Sequence, residues 1–239
     1  MNLALQALPK DCHKVAWIDC DVVFASANWS EPASQLLDRF GLIQMFKRVH
    51  YLSPHWTPEK DFTSEVEFTR PSAVFSVVSG VPATTCVGRC LEIREGNSAS
   101  RFAWAACRDL VDHHGFFDAS ILGGGDRAMA SAAHHCFNEY MKDHYMNKRQ
   151  QDRYLAWAEP FYATVRADVG YLEVDLFHLW HGDVRDRRAR KRLEGLYRFQ
   201  FDSLTDIAIN ANGCWRWDTN KPKMHEYVCT YFATRREDG

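Results

Sequence analysis

The chain has 239 residues, of which 46% are hydrophobic and 25% are charged, and its formal net charge is −2. This composition is that of a globular protein with a sizeable core, and the near-neutral charge excludes a general attraction to nucleic acids or anionic membranes. The eight cysteines include no Cys-x-x-Cys pair, which argues against a structural zinc site. Because neither a signal peptide nor a long apolar run is present, we expect reduced thiols, a cytoplasmic location and no membrane association.

The first part of the chain predicts a βαβ unit. A short helix at residues 3–8 ends at Pro9, and the run KVAWIDCDVVF (14–24) is typical of a buried parallel strand. A short helix follows Ser30, and Leu42–Phe46 forms a second apolar strand. Two strands joined by a helix indicate a parallel sheet.

The remaining segments alternate between strands and helices. We predict, in order, a long loop at Val49–Arg70, a strand at 72–80, a strand and a short helix from Phe102, a long helix opening at Asp126, strands within 163–182 and a basic helix at 183–199. No repeat or linker interrupts this pattern. We therefore expect a single α/β domain over residues 1–239, with a mixed, mainly parallel sheet flanked by helices and with residues 201–239 as an extension packed on the core.

Two carboxylates interrupt the first apolar run. Burying Asp19 and Asp21 side by side is costly unless a cation or a shared proton compensates their charges. Residues i and i+2 share one face of a strand, and ligand sites lie beyond the carboxyl ends of strands, so both carboxylates can converge on one cation. Hard oxygen donors favour Mg²⁺ or Mn²⁺. The alternative is a strand-end turn in which the two side chains cap backbone N–H groups.

A glycine run precedes an acidic residue in ILGGGDRAMA (121–130). Gly123, Gly124 and Gly125 allow the backbone to approach a ligand closely, and a carboxylate at Asp126 is favoured by the positive end of the helix that follows. Asp126 has two possible roles, the N-cap of that helix or a general base at the mouth of a cleft.

Two histidines flank a tryptophan in LFHLWHG (176–182). A neutral imidazole is a common metal ligand, so His178 or His181 can complete a site begun by the aspartates, although a structural role is the alternative for each. Because these two histidines do not share one strand face, we expect at most one of them to bind the metal directly.

Positive charge is concentrated in RDRRARKR (Arg185–Arg192). Such a run is most often the solvated face of a helix. Its other possible role is to contact a diphosphate or a polyanionic acceptor, because guanidinium groups match the geometry of phosphate oxygens.

These segments, in this order, resemble nucleotide-sugar-dependent glycosyltransferases of the GT-A kind, and in particular a galactosyltransferase-like set found in phages and bacteria. The resemblance lies in Asp19-Cys20-Asp21, in the segment Phe102–Asp126 that ends in GGGD, and in HLWHG. In that family a nucleoside-binding segment precedes the Asp-x-Asp motif by many tens of residues, whereas 18 residues precede Asp19 here. We therefore expect the N-terminal part of the fold to be missing from this chain.

The resemblance implies a metal-dependent transfer of a sugar from a nucleotide-sugar donor, a uridine-diphosphate sugar above all, to a hydroxyl on a glycan or on hydroxymethylated DNA. The residues implied to bind the metal are Asp19, Asp21, His178 and His181. Asp126 would act as general base in a single displacement with inversion, Gly123–Gly125 would let the substrates approach, and Trp104 and Trp180 would stack on the sugar.

Two other functions fit parts of the pattern. Phosphatases of the haloacid-dehalogenase kind also place Asp-x-Asp after an apolar strand, and there Asp19 would be the nucleophile and Asp21 the acid/base group. Phosphatases of this kind also need a serine or threonine, a lysine and an acidic pair downstream. No well-placed lysine stands out in this chain. The third interpretation is a catalytically degenerate domain that binds a glycan or a partner through its tryptophans.

Overall fold

The computed structural model describes residues 1–88, 97–182, 186 and 188–235, which form a mixed α/β fold. The helices are α1 (Asn2–Ala7), α2 (Ser30–Leu37), α3 (Ala73–Val78), α4 (Ala83–Gly88), α5 (Arg108–His114), α6 (Gly125–Ala133), α7 (Phe137–Asp143), α8 (Lys148–Val165), α9 (Ala189–Tyr197) and α10 (Pro222–Ala233). The strands are β1 (Lys14–Ile18), β2 (Val22–Phe24), β3 (Leu42–Gln44), β4 (Arg48–Leu52), β5 (Val66–Pro71), β6 (Ala103–Cys107), β7 (Val169–Tyr171), β8 (Asp175–His178), β9 (Ile207–Ile209) and β10 (Trp215–Trp217).

Two four-stranded sheets carry the fold, in the orders β1-β6-β3-β7 and β2-β8-β4-β5, and β9 and β10 form a separate hairpin. The prediction of a mainly parallel sheet is wrong. β6 lies between β1 and β3 and is antiparallel to both. β1 and β3, which the connection through α2 joins, therefore run in the same direction but do not pair with each other. Among the described strands, only β3 with β7 and β4 with β8 pair in parallel.

The predicted strand at 14–24 is two strands that belong to different sheets. β1 ends at Ile18, the chain turns through Asp19–Asp21, and β2 begins at Val22 in the second sheet. Two backbone hydrogen bonds fix this turn. The amide of Asp19 donates to the carbonyl of Phe102 over 2.7 Å, and the amide of Leu179 donates to the carbonyl of Asp21 over 2.8 Å.

The first sheet separates two hydrophobic cores. Side chains alternate across a strand, so Leu42 and Trp104 face the core formed with α3, α4, α6, α7 and α8, whereas Ile43 and Ala105 face α2 and the second sheet. All four are at most 2% exposed. This two-sided burial explains why the strand segments read as continuous apolar runs although most of their pairings are antiparallel.

Much of the predicted loop at Val49–Arg70 is a β-hairpin. β4 and β5 pair antiparallel around residues 53–65, and a short 3-10 turn, Phe62–Glu65, leads into β5. Arg70, 2% exposed, donates to the backbone carbonyl of Asn97 over 2.7 Å, to that of Ser98, and to the Tyr51 hydroxyl over 3.1 Å. These bonds hold the segment that enters β6.

The helices differ from the expected elements at two places. Residues 72–80 form α3 rather than a strand, because the Ser72 hydroxyl accepts from the amide of Phe75 and caps a helix. The long helix expected from Asp126 is instead two short helices. α6 begins at Gly125 and ends at Ala133, and α7 follows after His135, whose φ of +57° breaks the helical path.

The C-terminal part of the described chain builds a third hydrophobic cluster. α9, β9 and α10 pack together and onto Leu122, which precedes the glycine run. Of the predicted basic helix and the extension, residues 183–185, 187 and 236–239 lie outside the described residues. The single-domain assignment stays a prediction. Within the described ranges no helix is both long and apolar enough to cross a membrane.

Gly124 starts α6 under two constraints that only glycine satisfies. It is the N-cap residue with φ of +104°, and a Cβ atom placed there would overlap the Nε2 atom of His144. The next residue, Gly125, has room for a side chain, because the nearest atom to the place of a Cβ there is the Phe117 carbonyl oxygen, at 3.7 Å. Alanine substitutions at Gly124 and Gly125 can therefore be compared directly, one at a constrained position and one at an open position.

We expect Gly124→Ala to lower the free energy of unfolding by about 2 kcal/mol or more, because the new methyl group meets both backbone strain and a buried imidazole. Gly125→Ala should change it by less than about 1 kcal/mol, and in the stabilising direction, because alanine is the better helix former. Urea unfolding followed by circular dichroism measures both values. Equal effects of the two substitutions would contradict this account of the glycine run.

Candidate metal centre and its surroundings

Asp21, His178 and His181 form a cluster in which one ligand atom from each lies within 4.8 Å of the others. The Asp21 Oδ2 atom is 2.6 Å from His181 Nε2 and 3.5 Å from His178 Nε2. A carboxylate and two imidazoles at this spacing can close around a single divalent ion with small side-chain adjustments.

Strand pairing brings Asp21 to the histidines. β2 and β8 pair antiparallel with Val22 opposite His178, and the hydrogen bond from Leu179 to Asp21 extends that pairing by one step. The expectation that at most one histidine binds the metal directly stays a prediction, but the strand-face argument for it is wrong. β8 ends at His178, so the alternation of strand faces no longer applies to His181, whose ring lies 5.2 Å from that of His178.

An aromatic wall fixes the ring of His178. Its centroid is 5.0 Å from that of Tyr51 and 5.1 Å from that of Phe102, and the His178 side chain is buried. Phe102 is 2% exposed and has φ of +86°, a conformation that a bulky residue rarely adopts. Strain of this kind persists only where packing enforces it, and here it directs the Phe102 carbonyl to Asp19 and its ring to His178.

The charge of Asp21 is stabilised within this cluster. Burial raises the pKa of Asp21, but hydrogen bonding to His178 and the charges of both histidines outweigh burial, so the pKa lies below its usual value. Its Oδ1 atom is buried and has no hydrogen-bond partner among the described residues. An ionised carboxylate with one unpaired buried oxygen beside two imidazoles fits a bound cation.

Asp19 does not join this cluster. Residues 19–21 form a turn, as the alternative interpretation anticipated, so the strand-face argument for two converging carboxylates is wrong. The Asp19 side chain is exposed, and its charge acts on Asp126 instead. Asp19 therefore acts through its charge on Asp126, while Asp21, two residues along the chain, belongs to the metal cluster.

Asp126 is not the N-cap of α6, because Gly124 holds that position and no side chain caps this helix. It lies in the first turn and is half-buried. Burial raises the pKa of Asp126 to about 7 with the help of the Asp19 charge, while the Trp17 side chain and the Arg101 charge act in the opposite direction. A carboxyl group with this pKa suits proton transfer near neutral pH.

The two tryptophans proposed to contact a sugar have different environments. Trp104 is fully buried in the first core, and its indole N–H donates to the Ser100 carbonyl over 3.1 Å, so the prediction that it lines a ligand surface is wrong. A strand buried on both faces leaves no open side for this ring. Trp180, next to His181, is 40% exposed and can present its ring to a ligand.

Trp17 and Arg101 influence the pKa of Asp126, and a second arginine lies against the glycine run before it. Trp17 lies in β1, two residues before Asp19, and its side chain lowers the pKa of Asp126. Arg192 closes the basic run and lies against Gly123, 3.4 Å from the position of a Cβ there. Arg101 has no sequence signal, because nothing in the pattern around it distinguishes its side chain from other surface arginines.

Comparisons with protein-family models, with curated proteins and with solved structures found no match to this chain. The function is therefore inferred from the geometry of these groups and from the sequence pattern.

The raised pKa of Asp126 predicts a pH-dependent cost to stability. Stabilisation from the neutral carboxyl group is complete below the unfolded-state pKa of 3.8 and is lost as pH rises through about 7. Asp126→Asn should therefore increase the free energy of unfolding above pH 7, by roughly 1–4 kcal/mol, and should have little effect near pH 4. Urea unfolding of Asp126→Asn and of the parent chain at pH values from 4 to 8 measures this difference in the free energy of unfolding.

The control is Asp152→Asn, which removes an aspartate that is 56% exposed on α8. This variant should show no comparable gain above pH 7. A stability difference between Asp126→Asn and the parent chain that stays constant from pH 4 to pH 8 would show that the Asp126 pKa is not raised.

Proposed function

We propose that this chain is a metal-dependent glycosyltransferase that moves a sugar from a nucleoside-diphosphate donor to an acceptor hydroxyl, with inversion at the anomeric carbon. The observation that carries the proposal is the convergence of Asp21, His178 and His181. It is supported by the raised pKa of Asp126, to which the charge of Asp19, two residues from Asp21 in the chain, contributes. It agrees with the order of motifs in the sequence, in which an Asp-x-Asp pair, a glycine-led acid and a histidine pair follow one another.

The donor set favours Mn²⁺ over Mg²⁺. Two imidazoles and one carboxylate form a softer set than the two aspartates expected from the sequence, and imidazole suits transition metals better than Mg²⁺. A divalent ion bound there would offset the negative charge that develops on the departing nucleoside diphosphate.

The residues of the chain supply the proton transfer and the positioning. The acceptor oxygen attacks the anomeric carbon, the bond from that carbon to the diphosphate oxygen breaks, and Asp126 takes the proton of the acceptor hydroxyl. A pKa of about 7 leaves a substantial ionised fraction of Asp126 available as base at neutral pH. The exposed ring of Trp180 provides an apolar face on which a sugar can pack.

The donor that we propose is a uridine-diphosphate sugar, the acceptor a hydroxyl on a glycan or on hydroxymethylated DNA, and the location the cytoplasm. A phosphatase of the haloacid-dehalogenase kind is less well supported. It needs Asp21 to move protons, and the carboxylate of Asp21 lies between two imidazoles instead. A domain that only binds a glycan would have no need of the metal cluster or of a carboxyl group with a pKa near 7.

The metal cluster is tested by calorimetric titration with Mn²⁺. We expect Asp21→Ala and His181→Ala to weaken Mn²⁺ binding by about 100-fold or more, because each removes one of three ligands. Asp19→Asn serves as the matched control, since it neutralises the neighbouring carboxylate outside the cluster, and it should bind Mn²⁺ within about threefold of the parent chain. Unchanged binding heat for Asp21→Ala would remove the basis of the proposal.

Turnover tests the role of Asp126. The chain is incubated with Mn²⁺ and a panel of nucleotide sugars, and release of the nucleoside diphosphate is measured with and without acceptor. Asp126→Asn should reduce kcat by about 100-fold or more while the KM for the donor stays the same, because the base acts on the acceptor. If turnover is retained, Asp126 serves the structure of α6 rather than the chemistry. Asp152→Asn again provides the control.

A further inference from the structure

Three polar side chains of the second sheet form one hydrogen-bonded chain. β5 pairs with β4 so that His50 lies opposite Thr69, and β8 pairs with β4 on its other side. The Thr69 Oγ1 atom is 2.7 Å from His50 Nδ1, and His50 Nε2 is 3.1 Å from Asp175 Oδ2. Because side chains alternate across a strand, these groups lie on the face of the sheet opposite to Tyr51 and Leu176, which belong to the core.

Asp175 fixes the tautomer of His50. Arg48 binds both carboxylate oxygens of Asp175, with Nε 3.2 Å from Oδ1 and Nη2 2.9 Å from Oδ2. Burial raises the pKa of Asp175, but the hydrogen bonds from Arg48 and His50 outweigh burial, so the carboxylate is ionised at neutral pH and can only accept. The proton of a neutral His50 ring therefore lies on Nε2, and its Nδ1 atom accepts the hydroxyl proton of Thr69.

The Thr69 hydroxyl is arranged for nucleophilic attack, because its proton is directed at a basic nitrogen. Among the described residues, His50 is its sole hydrogen-bond partner. Thr164 provides the contrast. Its Oγ1 atom lies 2.9 Å from His114 Nε2 but donates its own proton to the Pro160 carbonyl, so His114 is the donor there. Thr69 is half-buried and 19% of the His50 side chain is exposed, so a small substrate can reach this pair.

A stack of aromatic rings leads away from His50. The Phe177 ring centroid is 5.2 Å from that of His50, Phe62 stacks on Phe177 at 4.7 Å, and Trp56 stacks on Phe62 at 4.9 Å. Phe62 and Trp56 belong to the loop between β4 and β5 and are half-buried, so part of each ring is open to solvent. The stack offers an apolar surface for an aromatic group of a substrate.

We propose that Thr69, His50 and Asp175 form a second catalytic site, at which Thr69 is acylated by a carboxylic ester that carries an aromatic group. The Thr69 oxygen attacks the ester carbonyl carbon while His50 Nδ1 takes the hydroxyl proton. The bond from the carbonyl carbon to the alcohol oxygen breaks, and His50 passes the proton to the departing alcohol. Water then hydrolyses the acyl-threonine, which releases the carboxylic acid and restores the hydroxyl. Asp175 is a positioning residue, since it acts on the substrate only through His50.

The test is reaction with p-nitrophenyl phenylacetate in buffer that contains a chelator, so that no metal-bound water contributes. Release of p-nitrophenolate gives the rate, and mass spectrometry of the digested chain locates the phenylacetyl group. We expect this group on Thr69 in the parent chain. Thr69→Val should remove it and lower kcat by about 100-fold or more, because valine keeps the shape of the side chain but has no nucleophile.

Further variants separate the roles of the three residues. His50→Gln should lower kcat by about 100-fold or more, because the base is lost. Asp175→Asn should lower kcat by about tenfold or more and leave KM unchanged, because the ester does not touch this side chain. Thr69→Ser keeps the nucleophile and should retain the acyl group at position 69. The matched control is Thr164→Val, which removes the other threonine hydroxyl beside a histidine and should behave like the parent chain.

A second ester tests the aromatic stack. p-Nitrophenyl acetate has the same leaving group but no aromatic acyl part, and each kcat/KM is divided by the rate constant of uncatalysed hydrolysis. The corrected value should be about three- to tenfold higher for the phenylacetate ester, and Phe62→Ala should remove this preference. Equal corrected values for the two esters in the parent chain would overturn the assignment of an aromatic substrate.

Thermal unfolding establishes that each variant is folded. The position of the acyl group in the parent chain needs no variant, so the inference can fail even if Thr69→Val does not fold. Three results would each overturn it: acylation of the parent chain at lysines but not at Thr69, parent-like turnover in folded Thr69→Val, or an equal loss in Thr164→Val. Asp21, His178 and His181 are unaltered in all of these variants, so Mn²⁺ binding and sugar transfer are tested independently of this site.

Discussion

The turn at Asp19–Asp21 is the constraint on which the candidate site depends. It carries the chain from the first sheet to the second, and two backbone hydrogen bonds, one to Phe102 and one from Leu179, leave little freedom in its path. Because β2 then pairs with β8, Asp21 lies opposite the end of the strand that bears His178. A sequence change that let this turn slip by one residue would move Asp21 away from its place opposite the histidines.

The turn separates two carboxylates that the sequence places together, and their opposite surroundings give them different chemistry. Asp21 faces two imidazoles, which favour its ionised form. Asp19 is exposed, and its charge disfavours ionisation of the half-buried Asp126. Asp21 is thus suited to hold a cation, whereas Asp19 raises the pKa of Asp126. The pKa values of Asp21 and Asp126 are thereby shifted in opposite directions, which is typical of acid/base sites.

The sequence pattern predicted which side chains carry chemistry better than it predicted the topology of the strands. The apolar runs at β1, β6 and β8 were recognisable, and so were the groups at Asp21, Asp126 and the histidine pair. Strand direction was not, because burial on both faces produces the same apolar run in parallel and antiparallel strands. Long-range packing also decided two local outcomes, the burial of Trp104 and the turn after His178 that returns His181 to Asp21.

The segment 97–102 gives a physical reason for the two halves of the site to act together. Arg70 binds the carbonyls of Asn97 and Ser98, and the Gln44 amide donates to the carbonyl of Ala99 over 2.8 Å, so the segment is anchored from two strands. It ends in Arg101, whose charge acts on Asp126, and in the strained Phe102, whose ring contacts His178. A shift of this backbone moves both groups at once, so a cation bound at His178 would favour one position of the segment and of Arg101. Such coupling requires no domain movement, since a ligand would only stabilise one conformation of six residues that the core already holds in place.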